Sequence, residues 1–242
     1  MFRYIDGNIV PKILYGTAWK EEDTRLQVVA ALEEGFRGFD TANQRKHYRE
    51  AEVGEGITSA IKNGLVKREK IFLQSKYTFQ HGQDYRLPYD PEAPISDQVA
   101  ESFTSSLKHL QTSYLDSYLL HGPTERTTLG KEDWSAWHAI VDIFKREKTR
   151  WIGISNVDLY QLKLLCREAE IQPHFVQNRC FASRNWDRDI RAFCLDKGIA
   201  YQGFSLLTAN RKVTMHPKMV ALAARHGRSV TQIVFRFAID SG

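Results

Sequence analysis

Short apolar runs alternate with amphipathic stretches along the chain, and this alternation predicts a parallel sheet covered by helices. Each run is short enough for a buried strand, and apolar residues at helical spacing follow it. The predicted strands span residues 13–17, 36–40, 71–75, 115–120, 151–155, 175–178 and 199–204. The predicted helices span residues 21–34, 50–61, 95–110, 133–145, 158–169, 187–197, 218–225 and 230–239. In the first of these helices, Leu26, Val29, Ala30 and Leu32 lie on or near one face, which is expected to face the core.

The same pattern favours a closed barrel over an open nucleotide-binding sheet. An open sheet usually carries Gly-x-Gly-x-x-Gly between its first strand and first helix. The nearest match, at Gly54 and Gly56, lacks the third glycine and lies within a predicted helix, where helix packing explains it better. A predicted hairpin around Asp6-Gly7 precedes the alternation. We therefore expect a TIM-type (β/α)8 barrel with an N-terminal β-hairpin.

Seven strands are one fewer than such a barrel needs. The sequence thus predicts a single barrel domain over residues 1–242 that is truncated before strand eight.

Composition excludes several classes of protein. Hydrophobic residues make up 42% and charged residues 26% of the chain, as in soluble globular proteins. The net charge of +5 is spread along the sequence, which does not suggest a nucleic-acid surface. Neither a signal peptide nor a membrane span is expected. Three widely spaced cysteines suggest reduced thiols and a cytoplasmic location, and no metal-binding spacing is present.

Three chemically distinct residues end, or directly follow, predicted strands: Asp40, Lys76 and His121. The carboxyl ends of barrel strands form the face where such barrels carry out chemistry. A carboxylate near Lys76 would hold the lysine charged, and the charged lysine would lower the pKa of a nearby phenol from about 10. Tyr48 lies in the loop after the Asp40 strand. A histidine beside it could hydrogen-bond a substrate oxygen.

Several motifs, taken in order, resemble those of the aldo-keto reductases. The first is Gly-Phe-Arg-Gly-Phe-Asp-Thr-Ala at residues 35–42, followed by Tyr48 and by Glu-Ala-Glu-Val-Gly at residues 50–54. The second is Leu-Asp-Ser-Tyr-Leu-Leu-His-Gly-Pro at residues 115–123, and the third is Trp-Ile-Gly-Ile-Ser-Asn at residues 151–156. This resemblance implies an eight-stranded barrel that reduces aldehydes and ketones with NADPH, without a metal or a flavin.

The resemblance also implies a role for individual residues. Tyr48 is the expected general acid, Lys76 the group that lowers its pKa, Asp40 the partner of Lys76, and His121 the residue that orients the carbonyl. The resemblance further predicts residues that contact the nicotinamide carboxamide, the nicotinamide ring and the diphosphate region of the cofactor. These expected cofactor-binding residues are Thr17, Ser155, Asn156, Gln177, Phe204, Ser205 and Leu207.

This sequence departs from the family pattern at three places. The usual gap of five residues from aspartate to tyrosine would land on Arg45, whereas Tyr48 lies eight residues after Asp40. Gly122 stands where the family commonly has tryptophan, which should open the substrate pocket. The basic residues that hold the 2′-phosphate of NADPH normally follow strand eight, beyond Gly242, so the sequence does not decide between NADPH, which the resemblance implies, and NADH.

Each candidate residue alone has an ordinary structural explanation, such as a helix cap for Asp40 or a solvated loop lysine for Lys76. Their joint placement favours a carbonyl reductase that acts on a small-molecule carbonyl substrate, as a monomer or weak homo-oligomer, without nucleic-acid or membrane partners. A non-catalytic cofactor sensor or auxiliary subunit is the alternative. A phosphate-handling barrel isomerase is a third hypothesis, but residues 205–210 contain no glycine for a phosphate loop.

Overall fold

The computed structural model describes residues 2–5 and 8–241. The chain forms two compact units, Met1–Gly153 and Ile154–Gly242. Strands and helices alternate through both units, as the sequence pattern predicts. The predicted turn at Asp6-Gly7 lies outside the described residues, although the two strands on either side of it are described.

The first unit contains a hairpin and a run of parallel strands. Strands β1 (Phe2–Ile5) and β2 (Asn8–Pro11) pair antiparallel. Strands β3 to β6 pair in parallel and in chain order. Their bounds are Tyr15–Gly16 for β3, Gly38–Asp40 for β4, Phe72–Tyr77 for β5 and Leu115–Leu120 for β6. The helices are α1 (Thr24–Glu33), α2 (Glu50–Lys62), α3 (Ile95–His109) and α4 (Lys131–Lys145).

Strand β7 (Thr149–Ser155) reaches from the end of the first unit into the second. In the second unit, β8 (Phe175–Arg179) pairs in parallel with β9 (Ala200–Phe204). The helices are α5 (Leu159–Glu168), α6 (Arg188–Asp196), α7 (Arg211–Thr214), α8 (Pro217–Arg225) and α9 (Val230–Asp240). Residues 205–241 form helices and turns and contain no strand.

The centre of the first unit is formed by β5 and β6, in which every residue is buried. Strands buried on both faces read as continuous apolar runs, which explains why the sequence pattern located them well. Large side chains such as Tyr77, Tyr118 and Trp137 fill this core.

Close packing of α2 explains the two glycines of the incomplete nucleotide motif. A Cβ atom on Gly54 would overlap the carbonyl oxygen of His109 and would lie 2.7 Å from the Cα of Leu110. A Cβ atom on Gly56 would lie 2.9 Å from a methyl group of Val28. These glycines therefore let α2 approach α3 and α1, and the helix-packing interpretation of the motif is confirmed.

The apolar face predicted for α1 is wrong in part. Leu26 was expected to face the core but is 61% exposed, whereas Val28, Ala31 and Leu32 are buried. A 3-10 turn at Glu21–Asp23 replaces the predicted first turn, so the α-helix begins at Thr24. The buried stripe of this helix consists of Thr24, Val28, Ala31 and Leu32, which lie at helical spacing.

Candidate active site

Asp40, Lys76 and His121 lie at the carboxyl ends of three adjacent strands. In the parallel register, Asp40 of β4 is opposite Gln74 of β5, and Lys76 of β5 is opposite Leu119 of β6. His121 directly follows β6, and its backbone N–H donates to the carbonyl of Tyr77 at 2.8 Å. The register therefore brings the three side chains to one edge of the sheet in the first unit.

Lys76 is fully buried and paired with a carboxylate. Its Nζ donates to Oδ1 of Asp40 at 2.6 Å and to the carbonyl oxygen of Thr41 at 2.8 Å. The same Oδ1 accepts from Nε2 of Gln74 at 2.7 Å, which fixes the carboxylate from a second side. Burial lowers the pKa of Lys76, and the negative charge of Asp40 opposes this effect.

Tyr48 lies next to this pair in spite of its unusual spacing from Asp40. The Nζ of Lys76 is 5.5 Å from the centroid of the Tyr48 ring. The rings of Tyr48 and His121 meet edge to face, with centroids 6.1 Å apart. The structure thus brings Asp40, Tyr48, Lys76 and His121 together, as the sequence predicts.

Gln44 fixes the loop that carries Tyr48. The carbonyl of Gln44 accepts from the backbone N–H of Tyr48 at 3.0 Å, and its side-chain Nε2 donates to the carbonyl of Gly82 at 2.6 Å. The Nε2 of Gln83 donates to the carbonyl of Asn43 at 2.8 Å. Residues 82 and 83 therefore hold the loop before Tyr48 through hydrogen bonds to its backbone and side chains.

His121 is held in its neutral form. Burial, together with the positive charge of Lys76, lowers the pKa of His121 to about 3. Its Nδ1 lies 2.6 Å from the hydroxyl oxygen of Thr78. A neutral imidazole has one donor and one acceptor nitrogen, so a single N–H group is present on this ring near neutral pH.

Three of the expected cofactor residues lie together in the second unit. The Ser155 hydroxyl donates to the carbonyl of Gln177 at 2.6 Å, and the Asn156 backbone N–H donates to the same oxygen at 3.0 Å. Asn156 has a positive φ of 55° and an exposed side chain whose Nδ2 donates to the Ser155 hydroxyl at 3.2 Å. Asp158, rather than Ser155 or Asn156, caps α5 by accepting from the backbone N–H of Gln161.

Phe204, Ser205 and Leu207 follow one another at the end of β9 and just beyond it. The guanidinium carbon of Arg179 lies 5.5 Å from the centroid of the Phe204 ring. Ser205 has a positive φ of 56°. Thr17 lies instead in the first unit, where its hydroxyl donates to the backbone carbonyl of Asp40 at 3.0 Å.

Two groups near the site were not identified from the sequence. Thr78 contacts His121 directly. The carboxylate of Glu50 is 2% exposed, contacts the Ser75 hydroxyl and lies 3.1 Å from Nδ1 of His109. The contacts of Thr78 and Glu50 join residues far apart in the chain, so no local sequence pattern indicates them.

The described residues contain no group of three or more histidine, cysteine or acidic side chains arranged to hold a metal ion. None of the helices in this part of the chain is long and apolar enough to cross a membrane.

Comparison with known proteins identifies the family. Residues 12–242 match the model of the aldo/keto reductase family. The chain belongs to the aldo/keto reductase family. It is 31% identical over 216 residues to a glyoxal reductase of Bacillus subtilis (strain 168), and the matched region covers 89% of this chain and 69% of that protein. It is 29% identical to the methylglyoxal reductase DkgA of Escherichia coli (strain K12), and that match covers 98% of this chain and 78% of that protein.

A solved structure of a related aldo-keto reductase supports the fold. The Bombyx mori aldo-keto reductase AKR2E4, solved in complex with NADP, matches with a TM-score of 0.78 at 29% identity over 98% of this chain and 79% of that one. The predicted fold class, an α/β barrel of the TIM type, is confirmed. The predicted class of oxidoreductase is confirmed as well.

Proposed function

We propose that this aldo/keto reductase reduces aldehydes and ketones to alcohols with NADPH, with NADH as a possible substitute. The observation that carries the proposal is the buried Lys76–Asp40 pair beside the ring of Tyr48. A small-molecule carbonyl compound is the substrate class. Relatives named for glyoxal and methylglyoxal reduction support small reactive aldehydes as the first substrates to test.

Tyr48 acts as the general acid in this proposal. When its hydroxyl gives a proton to the substrate oxygen, a phenolate remains, and the nearby ammonium of Lys76 stabilises that negative charge. Asp40 keeps the ammonium charged and oriented in a buried position. The three side chains thus form one proton-donating unit.

His121 orients the substrate carbonyl. Because its pKa lies near 3, the ring is neutral at the pH of the cell and donates one hydrogen bond without competing as an acid. A donor aimed at the carbonyl oxygen stabilises the charge that develops there during reduction. Gly122, which follows directly, stands where the family pattern commonly has tryptophan and should therefore leave space on the substrate side.

The cofactor residues are also proposed here. A nicotinamide carboxamide needs both donors and acceptors, and Ser155, Asn156 and Gln177 provide a hydroxyl and two amides within one small cluster. This donor set fits the group. When bound, the cofactor supplies the hydride. Thr17, Phe204, Ser205 and Leu207 complete the proposed set, in which Phe204 offers an aromatic face at the end of β9.

Four further properties belong to the proposal. We place the protein in the cytoplasm, as a monomer or weak homo-oligomer, without a nucleic-acid partner. The three cysteines are buried free thiols, which supports a reducing compartment. One family model spans residues 12–242, which supports treating the chain as a single functional domain.

The test is reduction of methylglyoxal by the purified chain, followed as loss of absorbance by NADPH or NADH. Tyr48→Phe removes the proton donor and keeps the ring, so we expect the rate to fall by at least about 100-fold, the usual scale of general acid catalysis. The dissociation constant of the cofactor should stay the same, because the substitution leaves the charges of the site unchanged.

Tyr160→Phe is the matched control, since Tyr160 is 60% exposed on α5. Its rate should equal that of the wild type. Cofactor binding without turnover of any aldehyde by the wild-type chain would support the sensor hypothesis and refute the reductase. A Tyr48→Phe variant with full activity would remove Tyr48 from its proposed role.

A further inference from the structure

Thr78 lies directly against Nδ1 of His121. Its hydroxyl oxygen is 2.6 Å from this nitrogen atom. Thr78 is 6% exposed and follows β5 immediately after Tyr77. None of the sequence motifs described above includes this residue.

Two hydrogen-bond patterns are compatible with this distance. If the threonine hydroxyl donates, Nδ1 carries a lone pair and the proton of the neutral ring is on Nε2. If Nδ1 donates, Nε2 carries the lone pair and cannot donate to a carbonyl oxygen. The partner of one ring nitrogen thus determines what the other can do.

The surrounding turn restricts the position of Thr78. A Cβ atom on Gly82 would lie only 2.7 Å from the Cγ2 methyl of Thr78, so the methyl packs closely against the Gly82 backbone. The carbonyl of Thr78 accepts from the Tyr89 hydroxyl at 2.8 Å and from Nε2 of Gln83 at 3.3 Å. Both the backbone and the methyl group are therefore fixed, which keeps the hydroxyl at the histidine.

We propose that Thr78 is a positioning residue whose hydroxyl donates to Nδ1 of His121 and so places the single ring proton on Nε2. This inference rests on the proposed function, because a carbonyl-orienting His121 needs a donor at Nε2. The inference adds the physical reason why Nε2 is the donor, which is that Nδ1 accepts from the Thr78 hydroxyl. The neutral state of His121 makes the choice of tautomer consequential, because a charged ring would donate from both nitrogens.

The first experiment measures the tautomer without any turnover. ¹⁵N NMR of histidine-labelled full chain at pH 7 distinguishes a protonated ring nitrogen from one with a lone pair. We expect His121 to show a protonated Nε2 and an unprotonated Nδ1. A protonated Nδ1 would overturn the proposal, whether or not the protein reduces carbonyl compounds.

The second experiment compares Thr78→Val with Thr78→Ser. Valine keeps the shape and loses the hydroxyl, so kcat for methylglyoxal should fall about 10-fold, or about 1.4 kcal/mol in the barrier. The cofactor dissociation constant should not change. Serine keeps the hydroxyl and should restore kcat to within about threefold of the wild type, as expected for a role in hydrogen bonding rather than packing.

Thr104→Val serves as the control for the same chemical change, because Thr104 is exposed on α3. It should leave both kcat and the His121 spectrum unchanged. Equal kcat for Thr78→Val and the wild type would overturn the positioning role. If the wild-type chain shows no turnover, the reductase proposal fails, while the NMR spectrum still decides the tautomer.

Discussion

Replacing Asp40 with asparagine removes the counter-ion of Lys76 and keeps the shape of the side chain at residue 40 nearly constant. The lysine side chain is fully buried, and its Nζ lies 2.6 Å from Oδ1 of Asp40 and 2.8 Å from the Thr41 carbonyl. Asparagine keeps an oxygen that can accept the hydrogen bond. The change therefore removes mainly the negative charge.

The expected loss in the free energy of unfolding is large, but proton release by Lys76 limits it. At 2.6 Å and an effective dielectric of about 20, the attraction within the pair is about 6 kcal/mol. Removing one partner of a buried pair commonly costs about 3–5 kcal/mol. Lys76 can also release its proton, and from an ordinary pKa of about 10.4 this costs about 4.6 kcal/mol at pH 7. We therefore expect Asp40→Asn to lower the free energy of unfolding by about 3–5 kcal/mol.

The pH dependence of the free energy of unfolding shows whether the loss comes from the charge on Lys76. Burial lowers the pKa of Lys76 in the folded wild-type protein, and loss of Asp40 lowers it further. Between the folded and unfolded pKa values, the unfolded chain binds the additional proton, so stability rises with pH in this interval. The deficit of the variant relative to the wild type should therefore shrink from pH 7 to pH 9, by up to about 1.4 kcal/mol per pH unit.

The assay is equilibrium unfolding in urea at pH 7, 8 and 9, followed by tryptophan fluorescence and far-UV circular dichroism. Asp40→Asn combined with Lys76→Met removes both charges and should be less destabilised than Asp40→Asn alone. Asp142→Asn, at an exposed position on α4, provides the control. A deficit no larger than that of the control, or one that grows with pH, would refute the reasoning.

Three further outcomes are expected. Arg68→Met removes the guanidinium 2.9 Å from the buried carboxylate of Asp116 but leaves Arg150 at 3.4 Å, so urea unfolding should show a loss of about 1–3 kcal/mol; wild-type stability would contradict this. Gly54→Ala places a methyl group against the carbonyl of His109 and should cost about 1–3 kcal/mol or more in the same assay, whereas an unchanged midpoint would argue against the close helix contact. Because the pKa of His121 lies near 3, the pH profile of kcat/KM should show no inflection from this residue between pH 5 and 8; an inflection near pH 6.5 that disappears in His121→Gln would contradict its neutral state.

The sequence predicted the positions of Asp40, Lys76 and His121 because each one lies at the end of an apolar run. Strand ends are local signals, and a parallel sheet brings the ends of successive strands to the same edge. Tyr48 was harder to place, since the usual spacing points to Arg45. It was selected as the phenol of its loop, and its ring does lie 5.5 Å from the Lys76 amine.

The sequence did not predict features that depend on contacts between distant segments. Thr78 and His121 are 43 residues apart, and Glu50 and His109 are 59 residues apart, so no periodicity joins them. The buried face of α1 was misplaced for a different reason. The polar residue Thr24 begins the buried stripe that Val28, Ala31 and Leu32 continue, and a search for apolar residues at helical spacing does not include it.

The packing of α2 against the end of α3 links the loop that carries Tyr48 to a distant part of the first unit. This helix begins two residues after Tyr48, and its first carboxylate and its glycine both meet the last turn of α3 at His109 and Leu110. A substitution at that turn would tilt α2 and shift the phenol without touching any reacting group. Laboratory evolution toward a new aldehyde should therefore accumulate changes at the end of α3 as well as around the substrate.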